Sequence, residues 1–260
     1  MADASSGELT IVTDRPLTPA VSAALHDLAK RHRAANGVGM QLLSLVGGSA
    51  ENLLEPLPDN VKNRVEDTTR LALEHALTAA AASRKVVPDR GDWLNTAVTT
   101  AMGAAGGAGG LPTALAELPV TTTVLLRAIQ GIAAEHGFDP VEDAVRMDCI
   151  KVFAAAGPLE DDDGADLGFL AARTTITGQS VQALIARVAP RLSTAFGQKL
   201  AAQTAPVIGA VAGAAVNYVF TSYYQEMARV HFGLSRLATE TGHDRAHLTL
   251  ELKRLLVSKT

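Results

Sequence analysis

Apolar residues recur along most of the chain at three- and four-residue intervals, the spacing that aligns them on one face of an α-helix. Val21, Leu25 and Leu28 follow Thr18-Pro19, an N-cap residue with proline at the first helical position, so a helix is predicted to begin there. A second is predicted from near Asp59, with Val61, Val65, Ala72, Ala76 and Ala80 on one side and Arg84-Lys85 at the end where the helix dipole favours cations. Pro88-Asp89-Arg90-Gly91 reads as a turn, and a short helix carrying Trp93 and Val98 follows until the glycines begin at Gly103. Another helix is predicted from Pro119 to His136, closed by Gly137. Asp139-Pro140 opens the next, with Val141, Val145, Cys149 and Val152 as its stripe and Gly157-Pro158 as its end. Pro206 is predicted to open a long helix through Phe232 towards Thr239. Gly242 punctuates it, and the last helix aligns Leu248, Leu252, Leu255 and Leu256. The best strand candidate, Thr121-Thr122-Thr123-Val124, runs straight into a helical pattern at Leu125. The predicted fold is all-α: a compact multi-helix bundle with Gly/Ala-rich, close-packed central helices, a flexible tail over 1–16 and one helical domain over 17–260.

Composition narrows the function classes. Of 260 residues, 47% are hydrophobic, which supplies a core and excludes a wholly disordered chain. Only 4% are aromatic, so that core is built from small and aliphatic side chains. A formal net charge of −4 argues against nucleic acid as a partner. The lone Cys149 excludes an internal disulfide framework and any Cys-rich metal site. Residues 1–14 are small, polar and acidic, without the basic and apolar regions of a secretory signal, so the expected address is the cytoplasm.

Two stretches, 95–116 and 200–225, carry no charge at all, with Lys199 and Glu226 flanking the second. Either is long enough for a bilayer core of about 20 residues. The six strongly apolar residues of the second, Val207, Ile208, Val211, Val216, Val219 and Phe220, contribute roughly −2 to −4 kcal/mol to insertion, which Pro206, Asn217 and the small polar residues largely offset. A buried or surface-inserting helix is therefore expected in preference to a spanning one. Within the second stretch Gly209 and Gly213 make a small-xxx-small pair, where a neighbouring backbone can approach closely.

Candidate chemistry is sparse. The glycine run 103–110 lacks a preceding strand and a following lysine, so it fails both phosphate-cradle patterns and reads as a tight bend or a close helix contact. The acidic segment Glu160, Asp161, Asp162, Asp163 and Asp166 puts leucine at both end positions of an EF-hand loop, which leaves a solvated charge run. His243 and His247 stand four apart around Asp244, a partial match to a zinc-protease helix with no third ligand; no metal and no cofactor are expected. Glu117 stands out as a carboxylate alone in an apolar region, which must be paired or hydrogen-bonded if buried. Arg127 is the nearest base, about 15 Å away along a continuous helix, so a direct pair needs a bend at Pro119. A structural ion pair or cap and a functional carboxylate in a pocket both remain open. Asn217 is the analogous polar residue of the second stretch, expected to satisfy backbone across a helix contact.

The segment Ala116-Glu117-Leu118-Pro119-Val120-Thr121-Thr122-Thr123-Val124-Leu125-Leu126-Arg127-Ala128-Ile129, continuing to His136-Gly137-Phe138-Asp139, resembles the EcsC protein family. So do Ala205-Pro206-Val207-Ile208-Gly209-Ala210-Val211-Ala212-Gly213 with Asn217-Tyr218, and the closing Ala228-Arg229-Val230-His231-Phe232-Gly233-Leu234. The likeness covers about 60–237, with His136 standing where an aromatic is expected. The resemblance implies a bacterial helical protein and no particular reaction; its shared positions are Glu117, Pro119, Arg127, Gly209, Gly213 and Asn217. The leading expectation is a cytoplasmic protein attached peripherally at the inner face of the cell membrane, to lipid or to a membrane-protein partner. The basic set Arg173, Arg187, Arg191 and Lys199 is expected to face anionic headgroups. Alternatives are an intracellular carrier of an apolar, lipid-like ligand oriented by Glu117 or Arg127 and, last, a hydrolase using Glu117 or a His243/His247 metal site. The enzyme reading ranks lowest because no nucleophile–base pair is recognisable.

Overall fold

A computed structural model describes residues 16–46, 57–86, 91–153, 157, 181–204 and 209–258. The acidic segment 160–166, Arg173, the 88–90 part of the expected turn and Pro206 lie outside them. The fold is all-α, and among the described residues there are seven helices and no strand. They are α1 (Pro19–Val46), α2 (Asp59–Val86), α3 (Gly91–Glu135), α4 (Asp143–Val152), α5 (Val181–Thr204), α6 (Gly209–Thr241) and α7 (Arg245–Val257).

Local chemistry sets several ends. Thr18 Oγ1 accepts the Val21 amide at 3.3 Å and so caps α1. At the end of α3, Gly137 adopts φ +86°, which lets the Gly137 and Phe138 amides reach back to Ala134 and Ala133 carbonyls, each at 3.0 Å. Asp244 caps α7 by accepting the amides of Ala246 and His247. The start of α4 differs from expectation. Asp139 Oδ1 accepts the Val141 amide at 2.9 Å, a side-chain turn that competes with helix. The helix therefore waits until Asp143, and Val141 is 75% exposed rather than part of the stripe.

The larger correction concerns α3. The short helix and the Pro119 helix are one element, which continues through the glycine run and through Pro112 and Pro119. Thr121–124, the strand candidate, is helical within it; Thr122 and Thr123 hydroxyls bond back to the carbonyls of Leu118 and Pro119 at 2.7 and 2.9 Å. Yet α3 is not straight. Near its start, Thr96 Oγ1 lies 3.4 Å from Gln225 Oε1 of α6. Just past its end, the His136 ring lies within van der Waals reach of Gly233, also on α6. Gln225 to Gly233 is about 12 Å of helix, whereas a straight helix from Thr96 to His136 would run about 60 Å. The change of direction foreseen at the glycines thus occurs within a helical element. The stretch able to yield holds the glycine-rich sequence 103–110 and two prolines that each delete a backbone hydrogen bond.

Folding back lets both arms of α3 pack on α6, the largest helix–helix interface among the described residues. The main core joins α2 to α6, with Leu73, Leu118, Leu126, Ile129, Phe196 and Tyr224 fully buried. A second cluster joins α1 and α7 to the outer side of α6 through Val21, Leu25, Leu28, Val230, Leu248 and Leu252. Helix α6 is thus shared by both.

Candidate functional site

Glu117 ends the first charge-free stretch and Lys199 begins the border of the second. In the fold these two residues, 82 positions apart, form a buried salt bridge between α3 and α5. Lys199 is completely buried and Glu117 is 8% exposed. Burial pushes the Lys199 ammonium below its ordinary 10.5, while the Glu117 carboxylate draws it back up. The ion pair that one sequence reading of Glu117 called for is present, formed with Lys199. Its partner is not Arg127, which is buried further along α3. Lys199 in turn leaves the basic set expected at headgroups; Arg187 and Arg191 remain exposed on α5.

The charge-free arm of α3 meets α6 through hydrogen bonds between neutral groups. Asn217 Nδ2 donates to the Thr99 carbonyl at 2.7 Å, the backbone across a helix contact that its position suggested. Thr99 and Thr221 hydroxyls lie 2.7 Å apart. Thr221 Oγ1 is also 2.8 Å from the Asn217 carbonyl and Thr99 Oγ1 is 3.0 Å from the Thr96 carbonyl. Two hydroxyl protons therefore serve three contacts, and Thr96 extends the chain to Gln225. Of the small pair, Gly213 is buried within α6, and Gly209 is its first residue. The structure thus brings together Asn217 and Gly213 on one helix and Glu117 on its neighbour, with Arg127 separate.

The two stretches consequently lie side by side, antiparallel, from Thr96 opposite Gln225 to Thr99 opposite Asn217. Beside the bonded residues, Val98 and Tyr218 are 40% and 50% exposed. Ala97 and Ala101 are exposed too, as are Ala116, Pro119 and Val120 around the buried Glu117.

The late histidines do not form the helical pair. His243 precedes α7 and bonds Thr241 Oγ1 at 2.9 Å, and Asp244, placed where a zinc protease has its glutamate, is consumed as the cap. Among the described residues no three His, Cys, Asp or Glu side chains come together to hold a metal ion. An open cleft of about 380 Å³ lies where α3 ends against α6, lined by Glu135, His136, Phe138, Arg236, Thr239 and Glu240. Arg236 is tied to Glu240 at 2.6 Å there, and none of the candidate residues lines it.

Sequence reasoning missed Lys199 as the partner of Glu117. The signal was present: each residue immediately borders a charge-free stretch, with opposite sign. It also missed a second polar cluster where α4, α6 and α7 meet, in which Lys151 and His231 are buried and Asp148 and Arg245 partly so. Only the Asp148–Lys151 spacing of three hinted at it.

The model of the EcsC protein family matches residues 52–237. No curated protein and no solved structure matches the chain.

Proposed function

The chain belongs to the EcsC protein family, and for this member we propose peripheral association with a membrane surface through the uncharged face shared by α3 and α6. One observation carries the reading. The two charge-free stretches pack against each other, and the two ionisable groups at their shared border, Glu117 and Lys199, are turned onto one another and buried. Exposed on these two helices beside the seam are Val98, Tyr218 and small uncharged residues. Such a surface enters the headgroup boundary without stripping water from a charge, and a half-exposed tyrosine suits that boundary because its ring is apolar and its hydroxyl polar.

The attachment is lateral. No helix among the described residues is long and apolar enough to cross a membrane. With Lys199 withdrawn into the interior, Arg187 and Arg191 are the cations of α5 left for anionic headgroups. Co-sedimentation with zwitterionic and with anionic vesicles, at low and high salt, tests the reading. Pelleting with both vesicle types that survives high salt is the expected result. Failure to pellet with either at any salt removes the proposal, and pelleting abolished by salt would assign the binding to arginines instead of the uncharged face.

A further inference from the structure

The second polar cluster has a different construction. The His231 side chain is wholly enclosed on α6. One Arg245 guanidinium nitrogen on α7 lies 3.0 Å from its Nδ1 and 3.4 Å from its Nε2. A guanidinium only donates, so a bond to the ring needs a nitrogen that presents a lone pair, which only the neutral imidazole has. Nε2 also lies 3.8 Å from Asp148 Oδ2 of α4, and Asp148 Oδ1 accepts from Lys151 Nζ at 2.7 Å. The charges that bear on the imidazole are thus Asp148 and Lys151 from α4 and Arg245 from α7.

Arg245 is the first residue of α7, where the positive end of the helix dipole disfavours a cation. Its bond to a neutral imidazole compensates for that placement. At the far end of the same helix the tie is of another kind: Arg33 of α1 donates to the Leu255 carbonyl, a bond in which no histidine takes part. Opening at moderately acid pH would therefore begin at Arg245.

We propose that His231 is an acid-sensitive latch for α7: neutral, it accepts Arg245 and holds the first turn of α7 on α6; protonated, it loses that lone pair, sets a cation against a cation, and lets the turn lift. Lifting uncovers Leu248 and Leu252, which otherwise pack with Val230 and Leu234 of α6 and Leu25 of α1. The direction of titration agrees with this. Burial pushes His231 below its ordinary 6.5, Asp148 pulls it up, and Arg245 and Lys151 push it down, so the ring is neutral at pH 7 and charges only in acid.

Hydrogen exchange of the full chain, read by mass spectrometry at about pH 8 and about pH 5 and corrected for intrinsic rates, tests the latch. Amides of 245–252 are expected to lose about tenfold more protection than those of α3 on going to the lower pH. His231→Gln keeps an acceptor for Arg245 but cannot titrate, and it leaves His243 and His247 in place. It is expected to hold α7 equally at both pH values. An α7 that does not respond in the wild type, or that still responds in His231→Gln, overturns the proposal. Should the variant fail to fold, the wild-type His231 imidazole can be titrated by NMR. A midpoint coincident with α7 opening supports the latch, and a separate midpoint overturns it.

Discussion

Two polar regions share α6 and are built on opposite principles. Between α3, α5 and α6, one carboxylate meets one ammonium, and the hydrogen bonds that Thr99, Asn217 and Thr221 make across the seam join neutral groups. Between α4, α6 and α7, one carboxylate serves a lysine and faces an imidazole that also accepts from an arginine. The first region pairs its two buried charges with each other, so removing either one takes that partner from the other, which burial makes costly. The second already sets two cations, Lys151 and Arg245, against the one carboxylate of Asp148, and protonating His231 would add a third, so it is at its most stable while the imidazole is neutral. The first is therefore suited to lie beneath an uncharged surface, and the second to respond to its surroundings.

The largest effect is expected where the pair of the first region is broken on one side. Lys199→Met leaves the Glu117 carboxylate buried without its salt-bridge partner and should lower stability by about 3–5 kcal/mol in urea unfolding. Adding Glu117→Gln should return a large part of that loss, because the buried carboxylate that has lost its ammonium is then neutral. If the double variant is no better than the single one, the pair is not the one-to-one unit described.

Next comes the neutral seam. Asn217→Ala removes the donor to the Thr99 carbonyl and empties a buried position, so a loss of about 1–3 kcal/mol is expected. The cost should be the same at pH 8 and pH 5, since no group there titrates between them.

The ionic region should behave otherwise. Its histidine has a folded pKa below 6.5, so the unfolded chain takes up the proton first and stability falls as pH drops below 6.5. Burial raises Asp148, but its hydrogen bonds and charge interactions with His231 and Lys151 outweigh this and hold it well below 3.8, so its contribution is lost only as pH falls further, through and below 3.8. Stability measured against pH should show the first fall in the wild type and lose it in His231→Gln. The smallest effect belongs to the surface. Arg31 and Glu226 pair at 3.1 Å with the arginine half-exposed, and Arg31→Ala should change stability by less than about 1 kcal/mol.

Much of the fold was legible because helices announce themselves locally. Thr18-Pro19, Gly137 and Gly242 mark ends through backbone chemistry that needs no distant partner. Asp139 misled for the same reason: its side chain captured the Val141 amide, delaying a helix that the apolar spacing placed earlier. The isolation of Glu117 was visible, and so was the carbonyl that Asn217 would seek. What a one-dimensional pattern withheld was which arm meets which. Arg127 was nearer in sequence than Lys199, but the return of α3 across its glycines and prolines makes sequence distance a poor guide. His231 gave no sign, since each of its partners is an ordinary surface residue until α4 and α7 close around it.

The outer face of the seam can be probed where it is claimed to meet lipid. The only native cysteine, Cys149, is buried, so a polarity-sensitive fluorophore can be placed selectively on Tyr218→Cys and, separately, on Leu250→Cys of α7, two positions of equal exposure within a percent. The account expects the emission at 218 to shift to the blue on adding vesicles at pH 8 while that at 250 stays unchanged. No shift at 218, or a shift at 250 alone, would contradict it.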